Sequence, residues 1–85
     1  MKMCVLGGSG FLGSHVADHL TLAGHDVCVY DRNPSPWLRP EQMMIVGDLM
    51  DLDSLNKALA GCEVVYNFAA IADLDEALEK LKTLI

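Results

Sequence analysis

Positive charge is scarce in this sequence. Six Lys and Arg stand against twelve Asp and Glu, a formal net charge of −6. So acidic a chain has no basic footprint for nucleic acid or for an anionic membrane surface. Any phosphate it binds must be held by backbone N–H groups more than by lysines. Long hydrophobic runs are missing too, since nothing approaches the roughly 18 consecutive apolar residues of a membrane-spanning helix. The start, MKMCVLGG, lacks the apolar core and cleavage site of a secretory leader. A cytoplasmic protein is expected. Cysteine is limited to Cys4, Cys28 and Cys62, an odd number without CxxC spacing or a histidine cluster nearby. That argues against a disulfide framework and gives metal binding no support. Small buried side chains in a reducing compartment are expected instead.

What is present is apolar and ordered along the chain. At 85 residues and 52% hydrophobic content, the sequence reads as one small domain over 1–85. A chain of this size hides only roughly 60% of its unfolded surface on folding, so it gains from cover by a ligand or a partner. Four short apolar runs recur: KMCVLG (2–7), DVCVYD (26–31), MMIVGD (43–48) and EVVYNFAA (63–70). Continuous apolar character, rather than alternation, marks strands buried on both faces of a parallel sheet. Between them lie helical patterns. Leu12, Val16, Leu20 and Ala23 are spaced for one face of a helix over 11–23, with Gly24 at its C-terminal stop. Leu52, Leu55 and Leu59 form a second face over 52–60, with Asp51 as N-cap and Gly61 as stop. The segment RNPSPWLRPEQ (32–42) holds all three prolines and reads as a stiff crossover with at most one helical turn.

Alternating strands and helices give an α/β fold, a doubly wound Rossmann-type parallel sheet with flanking helices. Right-handed crossovers predict four strands in the order 3-2-1-4, with ligands bound beyond their carboxyl ends, where strands one and four diverge.

VLGGSGFLGSH, at the end of the first strand, carries four glycines in seven positions. Gly7, Gly10 and Gly13 fit GxxGxxG, while Gly8, Gly10 and Gly13 fit GxGxxG, and Asp31 ends the second strand 18 positions after Gly13. The first glycines let the chain leave the strand. Gly10 lets the backbone approach a pyrophosphate, and Gly13 lets the helix pack against the sheet. The N–H groups at the helix start, around Phe11 and Leu12, then face the phosphates with the positive end of the helix dipole. Asp31 is expected to accept hydrogen bonds from the adenosine ribose and to repel a 2′-phosphate, favouring NAD over NADP.

GGSGFLGSH, VYDR, VGDLMD and VVYNFAAIAD, in that order, resemble the extended short-chain dehydrogenase/reductases, the NAD-dependent epimerase/dehydratase group acting on nucleotide sugars. The resemblance covers about residues 1–75. It implies that Asp48 and Leu49 contact the adenine edge, and that Ala69, Ala70 and Ile71 line the pyrophosphate and nicotinamide-ribose side of the cleft. There are departures. Leu6 stands where the family often has threonine, and Arg32, beside Asp31, is placed to stack on adenine or to tolerate a 2′-phosphate, which keeps NADP as the alternative cofactor. Catalysis in the family rests on a Tyr-xxx-Lys pair beyond the fourth strand. The only tyrosines here, Tyr30 and Tyr66, have no lysine four positions on.

The expectation is a module that binds NAD without catalysis of its own. The alternatives are a self-assembling fragment with a vestigial site, or half of an oxidoreductase completed by a second chain. Leu74, Leu78, Leu81 and Ile85 predict a generic amphipathic helix at the end of the chain. A truncated fragment would leave strand four as an unprotected edge, so a homodimer pairing strand four with strand four is expected.

Overall fold

A computed structural model of the chain describes residues 1–69. Along the sequence run β1 (Lys2–Leu6), α1 (Phe11–Leu22), β2 (Asp26–Asp31), β3 (Met43–Val46), α2 (Leu52–Leu59) and β4 (Val64–Asn67). The strands form one sheet in the order β3-β2-β1-β4. Every neighbouring pair is parallel. This is the doubly wound arrangement and strand order expected from the sequence. The helix expected over 74–85, and the residues Ala70 and Ile71, lie outside the described residues.

Side chains alternate between the two faces of the central strands, and each face has its own core. On one side Val5, Val27 and Val29 pack with Ala17 of α1. On the other Cys4, Leu6, Cys28 and Tyr30 pack with Ala58 of α2. The three valines are each at most 1% exposed, and burying a valine contributes about 1.5–3 kcal/mol. These side chains therefore hold both layers on the sheet. Cys4 and Cys28 are cross-strand neighbours and, with Cys62, are free thiols. A hydrogen bond with Cys28, followed by burial, pushes the Cys4 thiol far up, so it stays protonated.

The helices bury the expected faces only in part: Leu20 of α1 packs against the core as expected. In α1, Gly13, Ser14 and Ala17 are buried, whereas Leu12 is 53% exposed and Ala23 is exposed. The reason is close packing. A Cβ at Gly13 would come within 2.5 Å of the Gly7 carbonyl oxygen and 2.9 Å of Gly8 Cα, so only a small-residue face fits there. Leu52 likewise does not share the buried face of Leu55 and Leu59. Those two pack against the core, while Leu52, in the first turn, is 66% exposed.

The helix ends were more legible. Gly24, at φ +92°, donates its N–H to Thr21 O, and His25 donates to Leu20 O. These two bonds close the end of α1 in a Schellman arrangement. Asp51 caps α2 by accepting from the Ser54 N–H at 3.2 Å. The crossover over 32–42 contains no helix and is fastened to α1. Gln42 is buried, and its Nε2 donates to Asp18 Oδ1 at 3.1 Å and to Thr21 Oγ1 at 3.0 Å. Arg39 Nε lies 3.0 Å from the same Asp18 oxygen.

Candidate dinucleotide site

At the carboxyl ends of the four strands lies a cleft of about 210 Å³, lined by Gly7, Tyr30, Asp31, Arg32, Gly47, Asp48, Leu49, Met50 and Ala69. Six of the residues singled out from the sequence meet there: Gly7, Asp31, Arg32, Asp48, Leu49 and Ala69. They come from the ends of all four strands, 62 positions apart at the extremes. Only the sheet brings them together.

Gly7 turns the chain out of β1 at φ +75°, a conformation that L side chains resist. Its N–H donates to Tyr30 O at 2.8 Å, which continues the sheet ladder into the loop. A Cβ at Gly7 would lie 2.7 Å from Ala69 N, so the loop after β1 and the start of the segment after β4 touch backbone to backbone. At Gly8 a Cβ would strike Val29 Cγ1 at 2.6 Å. Each of these glycines, like Gly13, has a reason inside the protein.

Gly10 does not. It has an ordinary φ of −74°, and a Cβ there would meet, among the described residues, only the Gly7 carbonyl oxygen at 3.5 Å. That is normal van der Waals contact. Gly10 is also the N-cap of α1, and no side chain makes a cap hydrogen bond to the helix start. Ser, Asp or Asn would cap better. A glycine here leaves room above the backbone and leaves the first-turn N–H groups without a side-chain acceptor, an arrangement suited to an anionic oxygen. The side chains of Phe11 and Leu12 are not part of the cleft. Phe11 is 75% exposed and stacks edge-on against His15, with centroids 4.5 Å apart. The role expected of these two residues is through their main-chain N–H groups.

Asp31 is built into the loop. Its Oδ2 accepts from the Ser9 N–H at 3.0 Å and its Oδ1 from the Asn33 N–H at 3.1 Å. The Ser9 hydroxyl donates to Asn33 O at 2.6 Å, so two bonds from Ser9 join the glycine loop to the exit of β2, which the Asn33–Asp31 bond closes as a local turn. Asp48 turns the chain after β3. Its Oδ1 accepts from the Met50 N–H at 3.0 Å and its carbonyl from the Asp51 N–H at 3.1 Å.

Tyr30, Gly47 and Met50 were not foreseen. Tyr30 is 1% exposed, and its hydroxyl donates to Asp48 O at 2.6 Å. Burial, and then the carboxylates of Asp51 and Asp48, push its phenol above the ordinary value. Gly47 fits beneath it because a Cβ there would lie 2.5 Å from the Tyr30 hydroxyl. The available signal was a polar aromatic inside a strand otherwise filled by valine and cysteine. No helix among the described residues is long and apolar enough to cross a membrane, and no group of three metal-ligating side chains occurs among them.

The model of the NAD dependent epimerase/dehydratase family matches residues 3–85. The chain belongs to this family. Among its relatives within or beside the family, a 3-beta-hydroxysteroid dehydrogenase from Mycolicibacterium neoaurum is 38% identical over 74 residues, covering 86% of this chain and 20% of the relative. A UDP-N-acetyl-alpha-D-glucosaminuronate decarboxylase from Bacillus cytotoxicus is 32% identical over 91 residues, covering 99% and 28%. Among solved structures, MoeE5 in complex with UDP-glucose and NAD superposes with a TM-score of 0.70 at 32% identity, over 80% of this chain and 22% of that one. The chain thus spans only 20% to 28% of the length of these three proteins. The two curated relatives are named for different substrate classes, a steroid and a sugar nucleotide. Likeness in this segment therefore does not track the substrate.

Proposed function

We propose that this chain is a dinucleotide-binding unit that holds NAD(H) through its glycine loop and carries no catalytic pair of its own. The observation that supports this best is Gly10. It is the one glycine of the loop for which the described protein supplies no steric reason, and it lies where a pyrophosphate would need the backbone bare. In this reading Gly7, Gly10 and the N–H groups of Phe11 and Leu12 cradle the pyrophosphate, with Gly13 seating α1 close behind them. Asp31 accepts from the adenosine ribose, Arg32 lies beside the base, and Asp48 and Leu49 meet the adenine edge. Ala69, with Ala70 and Ile71, takes the nicotinamide side. When bound, the cofactor would supply hydride transfer to a substrate held by other parts of a longer polypeptide or by a second chain.

The acidic end of β2 favours NAD over NADP. The three cysteines as thiols support a cytoplasmic setting. The exposed side of β4 supports self-association into a homodimer.

A ligand specific to the folded state raises stability by RT ln(1 + [L]/Kd). NAD should therefore raise the melting temperature of the 85-residue chain, and ADP-ribose should do the same. No shift with millimolar NAD, ADP-ribose or ADP would refute the proposal.

A further inference from the structure

The turn that follows β3 is anchored from below by a side chain two strands' length away in sequence. Tyr30 rises from β2 through the core shared with Leu6, Cys28 and Ala58, and its hydroxyl reaches the main-chain carbonyl of Asp48 at 2.6 Å. Gly47 is the complement of that contact, because any Cβ would meet the phenol at 2.5 Å from its oxygen and 2.9 Å from Cζ. The Gly47 N–H donates to Asp31 O at 2.9 Å, which fixes the height at which the chain leaves the sheet. Above this point the Asp48 carboxylate is oriented by a single bond from Met50 to Oδ1. Leu49 packs down onto the Tyr30 core. Tyr30, Gly47, Asp48 and Leu49 all line the same cleft.

An ionised carboxylate can only accept hydrogen bonds. Facing a purine, Asp48 matches the exocyclic amine of adenine and is mismatched to the oxo group that hypoxanthine carries at the same position. The carbonyl of the same residue accepts from the Tyr30 hydroxyl at 2.6 Å and from the Asp51 N–H at 3.1 Å, and these two bonds hold the turn that carries the carboxylate, the Tyr30 one being the shorter. We propose that Tyr30 is a positioning residue for purine recognition, its hydroxyl holding the Asp48 turn where the cleft selects adenine over hypoxanthine. The inference rests on the dinucleotide reading above and adds to it what sets base specificity.

The test is calorimetric titration of the full chain, wild type and Tyr30→Phe, with NAD and with nicotinamide hypoxanthine dinucleotide. The two ligands share the pyrophosphate, both riboses and the nicotinamide, so the ratio of their affinities reports on the purine edge alone. Wild type should prefer NAD by about tenfold or more, the size of one charge-assisted hydrogen bond. Tyr30→Phe should bring the ratio to within about threefold of unity, mainly by weakening NAD. A purely structural role for Tyr30 would weaken both ligands in proportion and leave the ratio unchanged, which overturns the inference. So does a wild type that binds the two equally, while the dinucleotide reading survives. If wild type binds neither, the dinucleotide reading itself fails and the inference falls with it. Should Tyr30→Phe not fold, Gly47→Ala reads the same contact from the other side and must also abolish the preference.

Discussion

The Ser9 backbone N–H donates to Asp31 Oδ2 at 3.0 Å, so the carboxylate expected to greet the cofactor ribose is already a structural part of the glycine loop. Its other oxygen is held by Asn33. Asp31→Ala should therefore do two things at once. It leaves the partly buried Ser9 N–H without its acceptor, at about 1 kcal/mol, while the exposed Asn33 N–H can turn to water, and it removes the charge that repels a 2′-phosphate. Denaturant melts should show lost stability, and calorimetry should show the NAD:NADP affinity ratio falling roughly ten- to hundredfold. Asp31→Asn keeps one acceptor oxygen and should retain more stability while still losing selectivity. An unchanged ratio in both variants would move the selectivity to Arg32.

Gly10 and Gly13 should separate binding from folding. A Cβ at Gly10 meets, among the described residues, nothing closer than 3.5 Å, whereas one at Gly13 overlaps the Gly7 carbonyl. Gly10→Val is expected to melt within about 1 kcal/mol of wild type yet to bind NAD at least tenfold more weakly. Gly13→Ala should lose stability first, because α1 must lift off the loop. Parallel thermal melts and NAD titrations of the two variants check both halves of this contrast.

The start of α2 gives the acid response a definite sign. The Asp51 carboxyl is held below its ordinary 3.8, first by the Ser54 N–H and then by the Ser54 hydroxyl. A depressed folded value means that the stabilisation is fully present above the unfolded value and is lost as pH falls through the folded one. Asn is nearly as good an N-cap as Asp but does not titrate. As pH falls through and below the ordinary carboxyl value of 3.8, the wild-type melting temperature should thus fall more steeply than that of Asp51→Asn. Parallel slopes would show that other carboxylates dominate the acid limb.

Strand β4 pairs with β1 on one side, and its Val65 is 43% exposed. An apolar strand without proline or an inward charge is poorly defended against pairing with another copy. Light scattering of the 85-residue chain should give a dimer mass, and Val65→Lys should return it to a monomer. A wild type that remains monomeric at high concentration, or a dimer indifferent to the lysine, would overturn the assignment.

Much of the architecture was legible because strands and caps are local. The runs around Val5 and Val29 are β-branched and continuous, and Gly24 and Asp51 carry the chemistry of helix ends on single residues. The buried face of α1 was legible in part: close packing at Gly13 was expected, and Leu20 of the expected stripe packs against the core. Hydrophobicity also pointed to Leu12 and Ala23, which are exposed, because the close contact is made by Gly13 on Gly7 and Gly8 and by Ala17 on the sheet valines. At the site, Asp31 and Asp48 stood out as acids at strand ends. Tyr30 did not, because its partner is a backbone carbonyl 18 positions away and its neighbour Gly47 carries no side chain to hint at the contact.

The seating of Gly13 on the Gly7 carbonyl also bears on how fast a ligand can be captured. A loop wedged between a helix and a strand end cannot reshape itself unless the helix moves, so its conformation is fixed when the chain folds rather than when the ligand arrives. Little ordering entropy is then left for the encounter to supply. Association should be governed by diffusion and by the repulsion between an acidic protein and an anionic ligand. Raising the ionic strength should accordingly quicken capture, the reverse of the response of a basic phosphate-binding surface.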